Sequence, residues 1–342
     1  MGKQKKSVSG NAELSPAGVL SPGKEGAPNP EISADGDIAI RERLAQQKKF
    51  SSIWKKHKYK YLMIAPFAFI FIVFTFLPVV ISIILSLTSF DMVKAPEFVG
   101  FANYVKLIVY DPIFLTAIKN TLVFAIITGP ISYIMCFLFA WVVNDLPRIP
   151  RAVMTLVFYA PSISGNAYLV WKLLFSSDTY GWANAWMIKL GLSTEAVLWL
   201  QTEGYIMPIL IVVQLWLSLG ISFLTFIAGL QNMDKSLYEA AAVEGIKNRW
   251  QELWYITLPS MKPQLMFGAV MQITSSLSVS QLSIDLAGFP SVNYAGHTIL
   301  THLHDFGNIR YELGYACTIA VILFFIMLIC NVLVQKLLRK LG

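Results

Sequence analysis

Charge is what this sequence has least of. Only 14% of its 342 residues are Asp, Glu, Lys or Arg, against about 25% in an ordinary soluble domain. The shortage is concentrated in six runs that contain none of the four: residues 61–90, 120–144, 152–171, 204–233, 263–284 and 313–335. A helix crosses the hydrocarbon core with about 20 predominantly apolar residues, and every run reaches that length. A soluble fold is therefore excluded. Strand-type alternation is also lacking. Val79 to Leu85 is almost continuously apolar, whereas barrel strands alternate over about 10 residues. A backbone in lipid must satisfy its own hydrogen bonds, so the runs read as helices. Cysteine is scarce as well, with three residues in all. Cys136 and Cys330 fall inside runs and Cys317 near the start of the last one. No two have metal-ligand spacing, which leaves them as small packing residues. Finally, the early lysines of residues 1–40 have no apolar core behind them, so no cleavable signal peptide is expected there.

What remains is rich in apolar side chains, at 56% of residues and a mean hydropathy of +0.58. The fold class expected is an all-α integral membrane protein with six transmembrane helices. A Gly-, Pro- and Ser-containing stretch, 1–50, reads as a disordered cytoplasmic tail, and 51–342 as the six-span domain with a loop at 232–262. The first span then serves as an uncleaved signal-anchor. A seventh charge-free stretch, Leu286 to His304, is not counted. It carries Gly288, Pro290, Gly296, His297, His302 and His304, and breakers at that density suit a loop outside lipid.

Lys and Arg set the orientation. With the N-terminus inside, cytoplasmic segments hold Arg148, Arg151, Lys235, Lys247, Arg249, Lys262, Lys336, Arg339 and Lys340. The outer side holds few, chiefly Lys94, Lys106, Lys189 and Arg310. Both termini are thus expected in the cytoplasm. The net charge of +7 follows from that topology and the anionic inner leaflet, and gives no reason to invoke nucleic acid. Prolines and glycines mark distortions within the spans. Pro66 and Pro78 predict kinks in span one, and Gly129-Pro130 a break in span two. Pro161 and Gly165 predict a loosened helix at mid-membrane depth in span three (152–176). Spans four, five and six are expected at 205–231, 263–284 and 313–336. Trp182 and Trp186 suit a short interfacial helix before span four.

The loop after span four reads NMDKSLYEAAAVEGIKNRWQELWYITLPSMKP. Asp234 is a good N-cap, Lys235–Glu244 contains strong helix formers, and Gly245 suits the left-handed residue that ends a helix. Asn248 can cap a second helix, with Gln251 completing a capping box, and that helix stops by Pro259. Leu237, Ala240, Ala241 and Glu244 fall at i, i+3, i+4 and i+7 and share a face. The three alanines leave the helix thin enough for another backbone to come close. An amphipathic connector packed on its own spans accounts for the same pattern.

The order Glu239-Ala240-Ala241, three residues, Gly245, then Ile256-Thr257-Leu258-Pro259 resembles the EAA signature of permease subunits in binding-protein-dependent ABC importers. Tyr159-Ala160-Pro161, Trp171-Lys172-Leu173-Leu174-Phe175, Gly181 with Asn184, Leu224 to Gly229, AGFP at 287–290 and Gly314-Tyr315-Ala316 resemble its sugar branch, the maltose-type and glycerol-phosphate-type permeases. The likeness covers about residues 60–340. Ten residues separate Gly245 from Ile256, one more than the signature's usual gap, which implies a bulge or shifted phase at the start of the second helix.

The resemblance implies a type I ABC importer permease in a prokaryotic plasma membrane. Its partners would be a second homologous permease, two copies of a cytoplasmic ATPase, an extracytoplasmic solute-binding protein and a sugar substrate, with no cofactor and no catalysis of its own. The helix 235–244 would dock on the ATPase through Glu239, Ala240, Ala241 and Gly245, with Leu258 and Pro259 closing the motif. ATP-driven closure would pull that helix and tilt the spans. Candidates for holding sugar are Asn166 and Trp171 in span three, Gln214 and Trp216 in span four, and Gln272 and Ser275 in span five. For each, a helix–helix hydrogen bond or packing is the competing role. The lack of in-membrane charge favours a neutral solute.

Three other classes fit less well. A proton-coupled transporter places charged relays inside its bundle, and these runs have none. A metal enzyme would need His297, His302, His304 and Asp305 as ligands, without a second carboxylate cluster nearby. A receptor or scaffold leaves the doubly capped loop unexplained.

Overall fold

The computed structural model describes residues 59–341; the tail expected over 1–50 lies outside them. Contacts divide the chain into residues 1–71 and 72–342. In the first unit, residues 59–71 are helical. The second opens with a π turn at Ile72–Phe76 and the helix α1 (Leu77–Leu85), followed by a two-residue antiparallel pairing of β1 (Thr88–Ser89) with β2 (Glu97–Phe98).

Helices then dominate. α2 (Pro112–Asn144) and α3 (Arg148–Ile163) are joined by a tight turn, and α4 (Leu169–Leu174) and α5 (Trp182–Lys189) are short. α6 (Glu203–Leu217) and α7 (Ile221–Gln231) lead into a loop with α8 (Lys235–Val243) and α9 (Arg249–Glu252). α10 (Lys262–Leu277), α11 (Gln281–Ala287), α12 (Ile299–His304) and α13 (Leu313–Leu341) complete the chain. The expected interfacial helix is α5, and its Trp182 and Trp186 are exposed.

Four stretches of the described residues are long and apolar enough to cross a membrane: Tyr59–Leu85, Pro112–Asn144, Glu203–Gln231 and Leu313–Arg339. The runs expected as spans three and five differ. α3 and α10 have 16 residues each, about 24 Å at 1.5 Å per residue. α3 stops because Ser164, just past Pro161, turns extended with ψ 106°. α10 stops at Leu277, and the chain restarts as α11 after Ser280. Even the third long stretch is interrupted, at Ser218–Gly220 between α6 and α7.

α2, α7 and α10 pack together. Cys136, Phe137 and Ala140 of α2 meet Phe223, Phe226 and Ile227 of α7 in a buried cluster. A Cβ at Gly268 of α10 would strike the Phe226 ring, so the bare glycine sets that approach. Lipid is as apolar as leucine, which makes close packing of this kind the main source of helix association. A second cluster joins Phe114 and Ala117 to Ile299, Phe306, Tyr315 and Ile319. A third joins Phe124 to Tyr168, Ile206, Leu210 and Leu282.

Candidate functional site

Two regions carry the residues singled out by the sequence, and the first is the loop between α7 and α10. The Asp234 carboxylate accepts from the Ser236 amide at 3.0 Å and caps α8. That bond also holds its carboxyl below the usual range. At the other end the Ile246 amide donates to the Ala241 carbonyl and the Gly245 amide to that of Ala242. With Gly245 at φ +95°, this is a Schellman ending. Asn248 caps α9 through the Trp250 amide at 3.2 Å. Gln251 departs from the capping box: its Oε1 accepts from the Lys247 amide at 3.4 Å, one residue earlier than expected.

The face of α8 also needs correction. Leu237, Glu239, Ala240 and Glu244 are exposed, but Ala241 is buried. It sits on the inner side with Tyr238, whose hydroxyl meets that of Thr257 at 3.0 Å. The extra residue before Ile256 does not distort the start of the second helix. A π turn at Leu253–Thr257 follows α9 instead, and such a turn takes one more residue than an α turn. Leu258 packs half-buried on the inner cluster, and Pro259 is exposed. Arg249 pairs with Asp145 in the α2–α3 turn and with Glu252, while Trp250 lies against Trp141 at 5.3 Å. A polar cavity of about 530 Å³ separates the loop from that turn.

The second region is a cavity of about 450 Å³ walled by α3, α6, α7 and α10 at the points where these helices break. Gln214, Gln272 and Ser275 line it, as do Tyr159, Ser162, Ser164 and Tyr168. No lining residue is charged. The breaks free backbone carbonyls, and side chains answer them. Gln272 Nε2 donates to the Ser218 carbonyl at 3.2 Å, and Gln214 Nε2 to Ser275 Oγ at 3.2 Å. Both glutamines thus also make the helix–helix bonds weighed against a ligand role. The other three candidates lie elsewhere. Trp171 and Trp216 pack edge to face at 5.7 Å in a separate apolar cavity. Asn166 is exposed, its Oδ1 3.3 Å from the Tyr168 hydroxyl, whose proton goes to Asp285. Residue polarity alone did not single out Tyr159 or Tyr168. Their signal was the break around Pro161 and Gly165, which turns that segment toward the cavity.

The histidines expected in an outer loop are buried instead, His297 at 2% exposure and His302 at 1%. Asp111 caps α2 through the Ile113 and Phe114 amides. Its Oδ2 also meets His302 Nε2 at 3.1 Å and the Tyr315 hydroxyl at 3.0 Å. His302 Nδ1 in turn faces His297 Nε2 at 3.1 Å. With His302 donating to Asp111, its Nδ1 accepts, so His297 Nε2 donates and His297 Nδ1 is a buried acceptor without a partner. Burial and then His302 push His297 down to about 4, and burial lowers His302 as well. Burial opposes the charge on Asp111, but the Phe114 amide, His302 and Tyr315 outweigh it and hold the carboxyl below its usual range. Among the described residues no group of three or more His, Cys, Asp or Glu could hold a metal ion.

Long apolar helices, an uncharged cavity at their breaks and a capped loop between α7 and α10 together define a multi-pass membrane permease. No family model matches the chain. It is 31% identical over 276 residues to the arabinooligosaccharides transport system permease protein of Halalkalibacterium halodurans, covering 80% of this chain and 85% of that one. It is 30% identical over 232 residues to the lactose transport system permease protein of Rhizobium radiobacter, covering 67% and 75%. Its fold matches a chain in the crystal structure of a bacterial ABC transporter involved in importing the acidic polysaccharide alginate, with a TM-score of 0.70 and 23% identity, over 85% of this chain and 99% of that one. The chain belongs to the permease family of ABC transport systems, a family of multi-pass cell-membrane proteins, in the branch whose members carry sugar and oligosaccharide names.

Proposed function

We propose that this permease imports a neutral sugar or oligosaccharide by alternating access through the 450 Å³ cavity. The observation that carries this reading is the cavity's lining: hydroxyl and amide groups beside aromatic rings, with no charge. Such walls offer hydrogen bonds to sugar hydroxyls and flat faces to sugar rings. Gln214, Gln272 and Ser275 are the bonding groups, joined by Tyr159 and Tyr168. The relatives' names, arabinooligosaccharide and lactose, agree with a neutral saccharide.

In this reading the chain crosses the membrane six times with both termini in the cytoplasm. The broken helices α3 and α10 supply the two crossings beyond the four long ones. Irregular backbone at membrane depth is tolerated where it lines a cavity, which is where these breaks fall. ATP hydrolysis resides on two copies of a partner ATPase, a second permease completes the pathway, and a solute-binding protein delivers the sugar. A periplasmic protein accompanies the transporter in a second alginate importer structure that this fold matches. The inner loop is the ATPase contact. Glu239 and Ala240 present the docking face of α8, Ala241 and Leu258 seat it on the bundle, and Gly245 and Pro259 fix its turns.

Uptake by the reconstituted complex tests the reading. Gln272→Ala and Ser275→Ala are expected to cut uptake of a neutral oligosaccharide at least about fivefold at limiting substrate, as loss of a buried hydrogen bond does. Unchanged uptake in both variants would remove the cavity from the path.

A further inference from the structure

One carboxylate stands against the wall of the uncharged cavity. Asp285 lies on α11, just after the break that ends α10. Its Oδ2 accepts from the Tyr168 hydroxyl, a lining group of the cavity, and from Gln281 Nε2 at 2.7 Å. Among the described residues no Lys, Arg or His forms an ion pair with it. The cavity lining adds no cation either. Two neutral donors therefore hold the carboxylate in place, and among the described residues it has no ion-pair partner. A carboxylate beside a binding cavity repels an anion that is brought close to it.

We infer that Asp285, positioned by Tyr168 and Gln281, is a specificity-determining residue that admits neutral saccharides to the cavity and rejects those carrying a carboxylate. The inference rests on the proposed passage of sugar through that cavity. A carboxylate accepts hydrogen bonds from sugar hydroxyls and pairs poorly with an anion brought close to it. Specificity of this kind comes from a repulsive element as much as from attractive ones. Tyr168 links the two roles, since its ring is part of the apolar packing around Ile206 and Leu210 while its hydroxyl points the charge.

The test is a ratio of affinities, measured on the purified permease complex without its solute-binding protein, so that the delivering protein cannot set the outcome. The probes are a neutral trisaccharide bound by the wild-type complex, the same trisaccharide with one primary alcohol oxidised to a carboxylate, and the methyl ester of that acid. The acid is expected to bind at least about tenfold more weakly than the neutral parent, a difference in line with a single close charge pair. The ester is expected to bind within about threefold of the parent. In Asp285→Asn the ratio of acid to parent is expected to fall within about threefold, and any general loss of binding cancels in that ratio. Tyr168→Phe, which keeps the charge but frees it, is expected to give an intermediate ratio.

Equal binding of acid and ester to the wild type overturns the inference without any variant. So does a tenfold ratio that persists in Asp285→Asn. Failure of the cavity reading looks different, because Gln272→Ala and Ser275→Ala then leave binding of the neutral parent unchanged.

Discussion

The loop around 234–260, inner in the proposed topology, and the segment around 285–312, outer in it, are built from similar parts, and they dispose of their side chains in opposite ways. Each has a short capped helix, a π turn and a glycine with positive φ. The outer segment turns its polar groups inward. His297, Thr298, Thr301 and His302 are all buried and bonded through Asp111, the Val279 carbonyl and each other. The inner loop leaves large apolar groups outside, with Val243 at 88% exposure, Tyr255 at 73% and Trp254 at 66%. One is a finished piece of core and the other an unfinished surface. Exposed apolar patches on a folded, well-capped element mark interaction sites, so the difference supports the proposed reading of the loop as a contact for a partner.

Substitutions can break that comparison, beginning with the largest effect. Gly245→Val forces a β-branched residue into φ +95°, at about 1–2 kcal/mol of backbone cost. Transport is expected to fall at least about tenfold while the complex still assembles in the membrane. Uptake in vesicles beside co-purification of the subunits reads both quantities, and normal uptake would reduce the loop to a connector. In the outer segment Asp111→Ala removes the α2 cap and strands the donors of His302 and Tyr315. That is expected to cost about 2–4 kcal/mol of stability, seen as a lower thermal midpoint, with the transport rate of the surviving protein less affected.

The buried histidines give the outer segment a pH dependence at mildly acidic pH, above the range in which the loop's Asp234 carboxyl titrates. His297 is held neutral in the fold, with a value near 4 against 6.5 when unfolded. Between those values the unfolded chain binds the proton and the native one does not, so stability rises with pH and falls on acidification. The thermal midpoint is expected to drop from pH 7 to pH 5, by no more than about 1.4 kcal/mol per pH unit from this group. His297→Phe flattens that slope. The lowered carboxyl of Asp111 loses its contribution only below that window. Smallest of all is Arg249→Ala. Its pair with Asp145 is half-exposed, so a stability loss below about 1 kcal/mol is expected, measured by the same denaturation.

These regions were also unequally legible in the sequence. The loop's signals are local: Asp234, Gly245 and Asn248 each act on backbone within a few residues, so their roles could be read in order along the chain. Two residues departed from that reading, Gln251 because its side chain reaches back to the Lys247 amide and Ala241 because it is buried against other parts of the fold. The cavity draws on four helices, and residue type cannot say which polar groups face one another. Gln214, Gln272 and Ser275 came together, while Trp171 and Trp216 found each other in a different cavity. The six charge-free runs were plain, but their breaks at Ser164, Ser218–Gly220 and Ser278–Ser280 shortened the helices within them. Breakers signalled the first of these, whereas Ser278–Ser280 contains no proline or glycine. His297 and His302 read as loop residues because their partner, Asp111, is nearly two hundred positions away.

The central claim is that the exposed face of α8 meets a partner ATPase. A photoreactive residue placed at Val243, and separately at Leu237, in the assembled transporter tests it most directly. The account predicts an adduct with the mass of this chain plus the ATPase at both positions, and none from a residue placed at Trp182 on the opposite side. An intact, ATP-hydrolysing complex that yields only lipid adducts or adducts within this chain at those positions would contradict it.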